Sequence, residues 1–106
     1  MFENLAPSEF VQIRDNGELW QLLDVREQWE IDTVRVSDSI HISMNEITAR
    51  YTELDAAAPV AVLCHSGGRS ARVAAFLVDA GFARVANIAG GIDAWAETVD
   101  RTLPRY

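Results

Sequence analysis

The segment of this chain best suited to chemistry is Cys64-His65-Ser66-Gly67-Gly68-Arg69-Ser70, and Cys64 is its only cysteine. It follows an apolar run, Pro59 to Leu63, and precedes a stretch of helical period. Between a buried strand and a helix, successive backbone N–H groups curl around an anion or an electron-rich atom. Gly67 and Gly68 let the backbone take positive φ and approach a bound atom closely. A helix N-terminus and a nearby guanidinium favour the thiolate, the form of cysteine that attacks. Arg69 keeps its charge and offers a planar fork of donors for the oxygens of an oxyanion, with the hydroxyls of Ser66 and Ser70 beside it. The competing reading is a buried structural thiol, the commonest fate of a lone cysteine. Such a thiol has no need of Gly-Gly-Arg-Ser at the mouth of a helix, so the sequence favours a nucleophile at Cys64 in an anion-cradling loop formed by His65 to Ser70.

The elements that must position this loop follow from the alternation of Val-, Ile- and Leu-rich runs with helical stretches, the pattern of a parallel α/β sheet covered by helices. Ser8 is the expected cap of a first helix ending near Asn16, and Leu19 to Val25 reads as a buried strand with Asp24 at its carboxyl end. Arg26 to Asp32 reads as a short helix or turn. Ser39 to Met44 alternates His41 and Ser43 with Ile40, Ile42 and Met44, as a strand with unlike faces does. Asn45 is the expected cap of a helix reaching Leu54. The clearest strand begins at Pro59 and delivers Cys64 at its tip. A helix over Arg69 to Ala80 places Val73, Phe76, Leu77 and Ala80 at helical spacing and stops at Gly81. Ala83 to Ile88 is a strand, and Ala89-Gly90-Gly91 turns into a last helix carrying Ile92, Trp95 and Val99. Trp20, Trp29 and Trp95 are read as packing residues, Asp24 and Arg26 as a structural salt bridge, and His41 as a hydrogen-bonded structural histidine.

Composition narrows the function. The 106 residues, 49% hydrophobic and 24% charged, suit one folded domain spanning 1–106. A net charge of −7 repels nucleic acid and anionic membranes, so local geometry must bind any anionic substrate. All nine basic residues are arginine, which excludes a Schiff-base or P-loop lysine. One cysteine closes no internal disulfide, and two isolated histidines make no metal site, so neither a metal nor a cofactor is expected. The first ten residues lack the basic and apolar regions of a signal peptide, and no stretch approaches a membrane span, which points to the cytoplasm.

The pattern C-x-x-G-x-R-S after a buried strand resembles the active-site loop of the rhodanese family, matched here at Cys64, Gly67, Arg69 and Ser70. Leu22 to Glu27 followed by Glu30 is similar to the family's first signature, and Asn87 to Glu97 to its glycine-glycine-tryptophan signature. The resemblance implies an α/β rhodanese-like fold, a central parallel five-stranded sheet with helices on both faces. It also implies a catalytic cysteine that cycles between thiolate and persulfide, a small-molecule sulfur donor such as thiosulfate, and a thiol, cyanide or protein sulfur acceptor. One departure is Val34 to Ser39, where many members carry Gly-His-Ile-Pro-Gly-Ala, so a different local turn and substrate mouth are expected there. Phosphatases and arsenate reductases of the same fold carry C-x5-R, one residue longer; Cys64 to Arg69 is C-x4-R, which suits a single sulfur atom better than a phosphoryl group. A noncatalytic binding module of this fold is the alternative from another class, and the retained cysteine speaks against it.

Overall fold

A computed structural model describes residues 1–106. Five strands form one sheet, β1 (Glu3–Leu5), β2 (Gln21–Asp24), β3 (Ser39–His41), β4 (Val60–Leu63) and β5 (Val85–Ile88), in the order β1-β5-β4-β2-β3. Every neighbouring pair is parallel. The helices are α1 (Pro7–Asp15), α2 (Gln28–Thr33), α3 (Ile47–Arg50), α4 (Gly68–Asp79) and α5 (Gly91–Thr98). This is the parallel five-stranded sheet that the family resemblance implies.

The two faces of the sheet follow from the period of two along each strand. Val60 and Val62 of β4, and Cys64 just after it, join a core with Val73, Ala74 and Leu77 of α4 and Ile47 of α3. Ala61 and Leu63 point the other way, into a core with Phe10 of α1 and Ile92 and Trp95 of α5. All four residues of β4 are fully buried, as a central strand covered on both faces requires. Each large apolar side chain buried this way contributes about 1.5–3 kcal/mol. Cys64 therefore ends the central strand on the side that α4 covers.

Several local expectations are corrected. The cap of α1 is Ala6, not Ser8: Pro7 occupies the first turn, where its missing N–H costs nothing, and the Glu9 carboxylate accepts from the Ala6 N–H at 2.8 Å. Strand β1 is absent from the sequence reading; it is three residues long and largely polar, paired only with β5 at the sheet edge. In place of one helix from Asn45 to Leu54 there is a 3₁₀ turn (Met44–Glu46), the single turn of α3, and a second 3₁₀ turn (Tyr51–Glu53). β3 stops at His41, and its alternation runs opposite to the expected one at Ile40, which is 40% exposed. Trp29 is 61% exposed and lies outside the core, edge-on to the Tyr106 ring, and Val99, beyond the end of α5, lies open while Ile92 and Trp95 are buried. The end of α4 agrees with expectation: Gly81, at φ +95°, follows the helix and donates to the Val78 carbonyl.

Candidate active site

The strand-to-helix turn places the thiol at the mouth of α4. Gly67 is the N-cap of that helix at φ +112°, a conformation that a side chain strains. Its N–H donates to Cys64 Sγ at 3.0 Å. Ser70, in the first turn of α4 and fully buried, brings its Oγ to 3.2 Å from the same sulfur. A single hydroxyl proton serves Ser70: Asn87 Oδ1 lies at 2.5 Å and the Gly67 carbonyl at 3.2 Å, both able only to accept. Towards a thiol, Ser70 Oγ is an acceptor; towards a thiolate, it can turn its proton onto the sulfur. Cys64 is 1% exposed. Burial by itself is what a structural thiol shows, but a backbone donor and a hydroxyl converging on Sγ are partners that an inert core thiol lacks.

A second turn holds the loop from the side. The N–H groups of Ile92 and Asp93, in the first turn of α5, donate to the carbonyls of Cys64 and His65 at 2.8 and 3.0 Å. Those carbonyls, whose lone pairs would repel an anionic sulfur, are thereby engaged by the helix. Close approach is possible because residue 91 is glycine: a Cβ there would sit inside contact distance of both carbonyl oxygens, and its φ is +59°. Gly91 of the last signature thus lets the first turn of α5 clamp the cysteine loop.

The remaining loop residues divide by exposure. Ser66 and Gly68 reach solvent, while His65 is half-buried and stacks on the Tyr106 ring, centroids 4.2 Å apart and planes 16° from parallel. Arg69 does not hold its fork open at the mouth. Its Nη1 and Nη2 donate to Oε1 and Oε2 of Glu30 at 2.6 and 2.8 Å. The fork assigned by sequence to donor oxygens is occupied by a carboxylate, because Glu30 at the start of α2 is carried to the loop by the β2–α2 connection. No three His, Cys, Asp or Glu side chains gather where they could hold a metal ion.

Glu30 belongs to a wider network. Its side chain is 3% exposed, and besides Arg69 it accepts from the Glu27 N–H at 3.0 Å and from the Tyr106 hydroxyl at 2.6 Å. The Arg69 guanidinium, above all, brings the Glu30 carboxyl down to about 2, against the opposing effect of burial. Burial, followed by the hydrogen bond to Glu30, pushes the Tyr106 hydroxyl up to about 12. Tyr106 Oη also accepts from Arg26 Nη1 at 3.0 Å. Arg26 is fully buried against Asp24, with Nη2 to Oδ2 at 2.8 Å, and spends further donors on the Glu30 and Val34 carbonyls. His41 donates from Nε2 to the Arg26 carbonyl at 2.7 Å. Asp24, Arg26 and His41 thus have the structural roles that the sequence suggests. The parts of the site that sequence reasoning misses are Tyr106, the bond of Asn87 to Ser70 and the pairing of Glu30 with Arg69; Glu30 carried a signal as the acidic residue after Leu22 to Glu27, Asn87 as the first residue of the last signature, and Tyr106 none.

Comparisons with known proteins agree with this geometry. The rhodanese-like domain family matches residues 6–98. The thiosulfate sulfurtransferase GlpE of Pseudomonas syringae is 31% identical over 97 residues, covering 92% of this chain and 90% of that protein. A sulfurtransferase of Allochromatium vinosum is 37% identical over 75 residues, 71% of this chain and 70% of its own. The crystal structure of a rhodanese-related protein from Thermoplasma volcanium has a TM-score of 0.84 at 26% identity, over 92% of this chain and 94% of that one. The family match runs from α1 through the cysteine loop to the end of α5, and this chain belongs to the rhodanese-like domain family.

Proposed function

We propose that this chain is a sulfurtransferase that takes the sulfane sulfur of thiosulfate, or of a similar donor, onto Cys64 as a persulfide and passes it to a thiol or to cyanide. The observation that carries this reading is the Gly67 N–H donating to Cys64 Sγ at 3.0 Å at the start of α4. In the first step the Cys64 thiolate attacks the outer sulfur of thiosulfate; a new S–S bond forms, the S–S bond of the donor breaks, and sulfite leaves with the electron pair. In the second step an external thiolate or cyanide attacks the terminal sulfur, and Cys64 leaves as thiolate, which makes the cycle ping-pong. No net oxidant is required and the chain has no second cysteine to resolve the persulfide, so the acceptor is external.

The loop from His65 to Ser70 would hold the persulfide through backbone donors, and Arg69 would support the departing sulfite by its charge rather than by an open fork. The C-x4-R spacing and the sulfurtransferase relatives favour sulfur transfer over phosphoryl transfer. Residues 1–106 would act as one domain, and a free catalytic thiol suits a reducing compartment such as the cytoplasm. No helix is long and apolar enough to cross a membrane.

Intact mass after incubation with thiosulfate tests the reading. A gain of one sulfur atom (~32 Da), removed by a reducing thiol and missing in Cys64→Ser, is the expected result. Absence of the adduct in the wild type, or its persistence in Cys64→Ser, overturns the proposal.

A further inference from the structure

Tyr106, the last residue of this chain, lies against the cysteine loop on two sides. Its ring covers His65, next to the nucleophile. Its hydroxyl donates to Glu30 Oε2 while accepting from Arg26 Nη1, so it joins the buried Asp24–Arg26 pair at the end of β2 to the Glu30–Arg69 pair at the loop. Glu30 is therefore held by four donors: both Arg69 Nη groups, the Glu27 N–H and the Tyr106 hydroxyl.

This arrangement bears on how an anionic donor is recognised. Arg69 is partly open to solvent, with 34% of its side chain exposed, whereas Glu30 is buried. An oxyanion that arrives at the loop and reaches for the Arg69 guanidinium competes with Glu30, and an immobilised carboxylate is the stronger competitor, because its ordering cost is already met by its other partners. We propose that Tyr106 is a positioning residue that sets the affinity of the site for anionic donors: by fixing Glu30 on Arg69, it keeps the guanidinium fork from the donor. Loosening Glu30 frees the fork for part of the time and strengthens oxyanion binding. The chain thereby favours donors that depend less on Arg69, such as a persulfide bearing a single charge on its sulfur, over a dianion such as thiosulfate. This inference rests on the proposed role of Cys64 and its loop as the place where the donor binds.

Tyr106→Phe isolates the hydroxyl, because the ring and its stacking on His65 are retained. The probe is sulfate, an unreactive oxyanion, read by its protection of Cys64 from alkylation by neutral iodoacetamide. The sulfate concentration giving half-protection should fall roughly threefold to tenfold, the net effect of one ordinary hydrogen bond. Glu30→Gln, which weakens the same pair from its other end, should shift it in the same direction. In an Arg69→Ala background, Tyr106→Phe should have no effect, and in turnover the change should appear as a lower KM for thiosulfate. An unchanged or higher half-protecting concentration, or a fall that persists without Arg69, overturns the inference. Protection involves no sulfur transfer, so a wild type that takes no sulfur from thiosulfate removes the proposed function and leaves this test readable.

Discussion

Glu30 and Arg69, separated by 39 positions in the chain, meet as a bidentate ion pair with both N···O distances at or below 2.8 Å. One partner opens α2 and the other opens α4, so the pair ties the carboxyl ends of β2 and β4 together across the loop that carries the thiol. Because the carboxylate is buried and the guanidinium partly open, the pair governs both stability and access.

Acid stability should depend on this pair. Glu30 is depressed in the folded state, so the unfolded chain binds the proton more readily and stability rises with pH through the titration. The contribution is complete above the ordinary carboxylate range and is lost as pH falls from about 4.5 through about 2, with a ceiling on the order of 3 kcal/mol. Urea unfolding of wild type and Glu30→Gln at a series of pH values should show the wild-type advantage at neutral pH shrinking from pH ~4.5 and nearly gone at pH ~2; a constant difference would remove Glu30 as the cause.

Gly91→Ala should destabilise the fold severely, by about 3 kcal/mol or more, since it combines positive φ with a collision against two backbone carbonyls that the first turn of α5 must reach. Thermal unfolding measures it. Gly17→Ala is the control: its φ is also positive, at +95°, but nothing lies near its Cβ, so its cost should stay at about 1 kcal/mol. Equal losses at the two positions would mean that conformation alone, and not the clamp on the cysteine loop, sets the cost.

Ser70→Ala should slow alkylation of Cys64 at neutral pH about fivefold, the value of one hydrogen bond that is stronger to the thiolate than to the thiol. Its hydroxyl is the side-chain donor within reach of Sγ. The rate of iodoacetamide modification, followed by mass spectrometry, gives the answer, and a rate equal to wild type would leave Gly67 as the donor that matters.

The sequence makes legible the central strand, the cysteine at its tip, the long helix that follows, and the glycine turns on either side. These are local properties: the unbroken apolar run Val60 to Leu63, the period of 3.6 in α4, and positive-φ positions that glycine fills. It did not determine the course of residues 42–54, where 3₁₀ turns replace a helix because packing under α4, rather than propensity, sets so short a segment. Nor did it determine the third strand's register or the edge strand β1, whose three residues carry no apolar period.

What Arg69 does follows from contacts that only the folded chain makes. Glu30 lies 39 positions before it, and Tyr106 lies 76 after Glu30. Contacts that distant leave no periodic trace along the chain, since the sheet order brings β2 beside β4 and folds the last residues back over the loop. The sequence showed that a guanidinium stands next to the thiol; the fold determined that its fork is already held by a carboxylate, because a buried Glu30 requires a partner and Arg69 is the cation that its helix brings within reach.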